Sequence, residues 1–274
     1  MSFHLSRDEV ARYERGGYLF PCDVMSAAEA AAARRKIEAF ERSLGGPIPR
    51  EMCHKPHLYS QTIDAIIRRP EILDRVESII GPDILCWETV LFMKEAKTPA
   101  FISWHQDATY WGLEPYEILT AWVALSPSTR ESGCMRVLPG SHVGPIAAHK
   151  DSFAPNNMLS RGQEIQVEVD QAKVVDLVLR PGQMSLHHVK IAHGSDPNTS
   201  DDRRIGLAIR YVPAHVRQAL AGSDTATLVR GTDRFGHFEP EPHATSDFSV
   251  EGLANQKRLR ERRMAILMMP KPPA

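Results

Sequence analysis

Two textures of hydrophobic patterning divide the chain. Over residues 1–80, apolar positions fall at helical spacing among strong helix formers. Ser6-Arg7-Asp8-Glu9 and Ser26-Ala27-Ala28-Glu29 each have the S-x-x-E form, in which serine caps a backbone N–H and glutamate reaches back. They predict two helix starts. Gly16-Gly17 and Pro21 break the pattern between them, and Tyr18-Leu19-Phe20 fits a short strand. A further helix is expected over 61–79, divided at Pro70. From residue 84 the runs become short and apolar or alternating: DILCWETVLFMK, LTAWVAL, MRVL, KVVDLVL, QMSLHHVKIAH and RIGLAIRYV, separated by Gly-Pro and polar clusters. That texture predicts a mainly β block over about 84–213, a sandwich or barrel with flanking helices. Residues 214–247 lack periodicity and read as a loop or lid. Residues 250–269 read as a basic helix whose Lys/Arg run, 257–263, forms a solvated face.

Composition narrows the function classes. A chain of 274 residues allows one large domain or two small ones, and 1–274 is read as one domain. Lys+Arg 33 against Asp+Glu 34 leaves a net charge of -1, which removes the bulk electrostatic case for a nucleic-acid partner. No run of about 18 apolar residues predicts a membrane span. Cys22, Cys53, Cys86 and Cys134 form no CxxC, so neither a zinc ribbon nor a disulfide framework is expected. With a charged N-terminus lacking an apolar segment, they suggest a cytoplasmic protein with reduced thiols. Oligomeric state has no signal.

The chemistry concentrates around Trp104-His105-Gln106-Asp107. On an extended strand, residues i and i+2 share a face, so His105 and Asp107 can aim at one point. They would make two-thirds of a 2-His-1-carboxylate iron site. The third ligand must come from the end of the β block, where His187, His188 and His193 are candidates. His193 sits where a strand runs into Gly194-Ser195-Asp196-Pro197. His187 shares its parity, and His188 has the opposite one. Beyond them, Arg204, Gly206, Ala208 and Arg210 share one face of a strand, and Ile205, Leu207, Ile209 and Tyr211 the other. Arginines among small residues, backed by large apolar ones, suggest an interior pocket for an anion.

His105-Gln106-Asp107, the block SGCMRVLPGSH at 132–142, His193-Gly194-Ser195 and Arg204 together resemble the phytanoyl-CoA dioxygenase family. The similarity begins at the helix leading into GGYLF and runs to Tyr211. The resemblance implies a double-stranded β-helix (jelly-roll, cupin-like) core with N-terminal helices. It implies Fe(II) as cofactor, with 2-oxoglutarate and O2 as cosubstrates. His105, Asp107 and His193 would bind the metal. Arg204 and Ser195 would hold the distal carboxylate of 2-oxoglutarate, Trp122 would line its pocket, and Lys55 would add one more basic contact. Halogenases of the same fold replace the carboxylate ligand by Ala or Gly; Asp107 favours hydroxylation. A halogenase or desaturase, or a non-catalytic metal-binding sensor, are the alternatives.

The expected substrate is a small molecule. Arg210 would bind its anionic group, and Tyr110 and Trp111 would wall the site and hold a cationic amine by cation–π contact. That combination suits a small zwitterion, such as an aminoalkylphosphonate or a betaine-like compound.

Overall fold

The computed structural model describes residues 2–269. Its helices are α1 (Arg7–Gly16), α2 (Ala27–Leu44), α3 (Gln61–Ile67), α4 (Pro70–Ile80), α5 (Ala108–Trp111) and α6 (Val250–Leu267). Both predicted capping boxes form: Ser6 caps α1 with Glu9, and Ser26 caps α2 with Glu29. Pro70 opens α4 rather than kinking one long helix, because its missing N–H costs nothing at a helix start.

The strands are β1 (Tyr18–Asp23), β2 (Ile84–Lys94), β3 (Ile102–His105), β4 (Leu113–Glu114), β5 (Leu119–Ala124), β6 (Met135–Val137), β7 (His149–Asp151), β8 (Gln163–Ile165), β9 (Val175–Leu177), β10 (Gln183–His188), β11 (His193–Ser195), β12 (Arg204–Pro213), β13 (Arg217–Gln218), β14 (Thr225–Arg230) and β15 (Glu239–Pro240). A seven-stranded sheet has the order β1-β10-β5-β12-β2-β14-β15, and a four-stranded sheet the order β3-β11-β6-β9. The predicted strand at Tyr18-Leu19-Phe20 is β1, an edge strand; Pro21 sits at its register shift, where a missing N–H breaks no ladder.

Two apolar clusters follow from strand parity. Ile205, Leu207, Ile209 and Tyr211 of β12 pack with Ile37 and Phe40 of α2 and Ile72 and Val76 of α4, so the helices cover the outer face of the large sheet. The opposite parity faces the small sheet. There Trp122 and Ala208 pack with Met135, Val137 and Leu177. The alternation read from the sequence therefore separates the helix side from the interior.

Two expectations fail. Residues 214–247 are not a loop throughout: β14 pairs with β2, and β15 with β14. Nor is the 257–263 run all solvated. Arg263 is 1% exposed and its guanidinium lies 3.8 Å from the centre of the Trp87 ring.

Gly206 shows how closely the interior is packed. A Cβ there would stand 1.9 Å from Cζ2 of Trp122. Gly206→Ala is expected to cost about 1–3 kcal/mol through overpacking. The cost would be read as a lower urea midpoint with an unchanged slope.

Candidate metal and cosubstrate site

The small sheet brings the ligands together. β11 pairs antiparallel with β3, and His193 stands directly opposite His105. Their rings are 4.1 Å apart, centre to centre. Asp107 does not lie on the strand with His105, as strand periodicity suggested. β3 ends at His105, and Asp107 takes helical angles as the residue before α5. The intervening Gln106 fixes this turn: its Nε2 donates to the Lys190 carbonyl at 2.7 Å, and its Oε1 accepts from the Ala147 N–H at 2.8 Å. One ligand atom from each of His105, Asp107 and His193 lies within 4.8 Å of the others.

The donor set fits a metal. Nδ1 of His105 donates to the Ser103 carbonyl at 2.9 Å, and Nδ1 of His193 donates to the Ile191 carbonyl at 3.0 Å. A carbonyl only accepts, so each Nδ1 carries the proton and each Nε2 presents a lone pair. Nε2 of His105 stands 3.3 Å from Oδ1 of Asp107. Two such atoms at that distance need either a shared proton or a metal ion between them. Burial alone would raise the Asp107 carboxyl, but the His105 contact and the charges of His193 and Arg210 hold it well below its usual range. Burial, then His105, pushes His193 down to about 4. His187 faces the same interior, with its ring 5.1 Å from that of His193, and burial keeps it neutral. It is not part of the three-residue cluster. His188 turns away and packs against His142.

Beside the three ligands lies a cavity whose walls include Trp122, His187, Ser195, Arg204 and Arg210. Arg204 is 1% exposed; its Nη1 donates to the Gly133 carbonyl, and its Nε has no partner. Its guanidinium carbon is 5.2 Å from the centre of the Trp122 ring. Gly133 adopts φ 70°, and a Cβ there would stand 2.2 Å from the Asp196 carbonyl. Only glycine delivers that carbonyl to Arg204.

Lys94 is the residue that sequence reasoning missed. It stands opposite Arg204 in the β2–β12 ladder and is fully buried. Its Nζ donates to Oγ of Ser195 at 2.6 Å and to the Asp196 carbonyl. Burial, then the charge of Arg204, pushes its ammonium down to about 6. Burial likewise lowers Arg204 to about 10. Neither group forms an ion pair among the described residues. A buried guanidinium beside a buried amine, with no carboxylate for either, favours an anionic ligand that would also let the amine take up its proton. A carboxylate-bearing ligand would satisfy both. The available signal was one charge at the end of the apolar run DILCWETVLFMK, opposite Arg204 only once the register is known.

Lys55 sits elsewhere. It is buried, with Nζ paired to Oε1 of Glu241 at 2.5 Å and bonded to the Trp87 carbonyl at 2.7 Å. Nε2 of His57 donates to the other Glu241 oxygen, at 2.9 Å. None of Lys55, His57 and Glu241 lines the cavity beside the three ligands, and the partner of Lys55 comes from chain beyond the β block.

A second, larger cavity of about 420 Å³ shares Asp107 and Arg210 with the first. Arg210 stacks over the Trp111 ring at 4.3 Å, and Trp111 touches Trp87 at 5.1 Å. Nε of Arg210 is buried without a partner. Trp111 lines this cavity. Tyr110 does not: its hydroxyl donates to Oδ1 of Asp151 at 3.0 Å.

Several known proteins are similar to this chain. CytC3, solved with Fe(II) and alpha-ketoglutarate, superposes with a TM-score of 0.67 at 26% identity, covering 91% of this chain and 98% of that one. The apo structure of ThoJ, a non-heme monooxygenase, gives a TM-score of 0.84 at 38% identity, covering 95% and 97%. A probable alpha-ketoglutarate-dependent hypophosphite dioxygenase of Stutzerimonas stutzeri is 31% identical over 160 residues, 58% of this chain and 56% of that protein. The chain thus spans about half the length of the first curated relatives it matches. The family model for phytanoyl-CoA dioxygenase (PhyH) matches residues 13–206, and the chain belongs to that family.

Proposed function

We propose that the chain is a non-haem Fe(II)- and 2-oxoglutarate-dependent dioxygenase that hydroxylates an unactivated C–H bond of a small molecule. The overall change is R–H + O2 + 2-oxoglutarate → R–OH + succinate + CO2. The observation that carries this reading is the adjacency of a two-histidine, one-carboxylate cluster to two buried basic side chains, Arg204 and Lys94, that have no carboxylate partner. His105, Asp107 and His193 would hold the iron on one face and leave its other positions open. Iron bound there supplies the oxidising chemistry. Arg204, Lys94 and Ser195 would grip the distal carboxylate of 2-oxoglutarate and so fix its reactive end toward the three ligands. Trp122 and Phe92 wall this space from water.

The substrate reading favours an anionic group. Arg210 lines both cavities and has an unmet donor. A zwitterion such as an aminoalkylphosphonate or betaine-like compound would place its anion there. Arg210 already covers one face of Trp111, so a cationic end would have to meet a different aromatic face from the one Arg210 occupies.

The test is anaerobic titration of metal-free protein with Fe(II), then 2-oxoglutarate. The weak visible absorption of the iron–2-oxoacid chelate is expected. Iron binding without that absorption, at saturating 2-oxoglutarate, would overturn the assignment.

A further inference from the structure

One wall of the larger cavity is an open strand edge. Leu125 N–H donates to the Ile205 carbonyl, so odd residues of β12 turn their backbone groups toward β5 and even ones toward β2. In the β2–β12 ladder the even residues of β12 stand opposite Glu88, Val90, Phe92 and Lys94. Thr89, Leu91 and Met93 therefore turn the other way. The Thr89 carbonyl accepts from the Lys55 N–H at 2.8 Å, and His54 bridges to Val90. β14 covers only Ile84–Cys86. Beyond Val90 no strand pairs on this side among the described residues. The Leu91 carbonyl and the N–H and carbonyl of Met93 project from the edge, and both residues line the cavity. Backbone groups along an unpaired edge are free to pair with an extended chain.

We infer that the substrate is a short peptide with a free C-terminal carboxylate, seated as an added strand along Leu91–Met93 with that carboxylate at Arg210. This rests on the oxygenase reading and specifies its substrate class. The cavity's shape agrees. Its wall runs along β2 from Val90 to Glu95, five steps at about 3.3 Å, or roughly 17 Å. That accommodates three or four extended residues. Ile48, Val90, Phe92, Met158 and Leu159 supply apolar contacts for side chains. The charge is polarised. Arg210 and Glu95 both line the cavity with Asp107, and Arg210 stands opposite Glu88 in the β2–β12 ladder, seven residues before Glu95. Arg203 binds both Glu41 and Glu95, so that group keeps a net negative charge suited to a peptide N-terminus. The peptide would run antiparallel to β2 and bring its C-terminal residue to the metal cluster.

The probes are a tripeptide library varied at each position, its C-terminal amides, and singly N-methylated versions of the best binder. They are added to anaerobic protein loaded with Fe(II) and 2-oxoglutarate, and the shift of the chelate absorption is followed; succinate release is measured in air. Free-acid peptides are expected to shift the band and stimulate succinate release. Amidation should weaken binding by about tenfold or more, about 1.4 kcal/mol. N-methylation should weaken it at one amide and spare the next, the alternation of a strand ladder. A normal chelate band that no peptide shifts overturns the peptide inference alone. Binding that ignores both amidation and N-methylation also overturns it. Absence of the band itself sinks the oxygenase reading.

Discussion

His193→Ala is expected to abolish turnover, with kcat/KM falling at least about a thousandfold, about 4 kcal/mol at 1.4 kcal/mol per factor of ten. The side chain stands opposite His105 in the β3–β11 pair, and its Nδ1 is committed to the Ile191 carbonyl. No rotation is left by which a neighbour could replace Nε2. His187 is the nearest alternative, yet it comes from the large sheet and lies outside the three-residue cluster. The contrast makes the test specific. His193→Ala and Asp107→Ala should lose stoichiometric iron, whereas His187→Ala should keep it. Iron per chain, measured by colorimetric chelation after desalting, reads this directly. Urea midpoints of the metal-free variants separate loss of ligand from loss of fold. Full iron occupancy in His193→Ala would remove the three-ligand site from consideration.

Local patterns were readable because local rules set them. Both helix starts, the division at Pro70 and the edge strand β1 follow from capping and breaker chemistry within a few residues. The two faces of β12 were readable because side chains alternate along any strand. Features that depend on pairing were not. Lys94 meets Arg204 only through the β2–β12 register, which no run of residues encodes alone. Lys55 read as an extra basic contact because its partner, Glu241, is brought in by the segment that pairs through β14 and β15. That segment itself read as a loop, since its strands are short and set among glycine, aspartate and proline. Arg263 read as solvated because a helix run shows its charges and not the tryptophan beneath one of them. His105 and Asp107 do meet, but through a strand-to-helix turn held by Gln106 rather than through strand parity. Proximity was foreseen there for a different geometric reason.

Arg204→Ala is expected to raise the KM for 2-oxoglutarate about 30- to 1,000-fold, the 2–4 kcal/mol typical of removing one partner from a buried charge pair. Lys94 decides how that loss depends on pH. In the absence of an anion, burial and Arg204 hold Lys94 near 6, so it is mostly neutral at pH 7.5. A bound carboxylate favours the charged form, so 2-oxoglutarate binding takes up a proton above that value. Affinity in the wild-type protein should therefore improve as pH falls from 8 toward 6 and level off below it. Lys94→Met removes the titrating group; its KM should be higher and should vary little across the same range. Arg204→Ala removes the charge that depresses Lys94, so Lys94 gains protons at higher pH and the sloping region should move upward. Isothermal titration of the Fe(II)-loaded, oxygen-free protein in buffers of different ionisation enthalpy measures the proton uptake. Zero uptake in the wild-type protein at pH 7.5, or a Lys94→Met variant with an unchanged pH profile, would place the carboxylate on Arg204 and Ser195 without Lys94. An unchanged KM in Arg204→Ala would remove the cosubstrate from this pocket, and the two buried basic groups would then require a different anion.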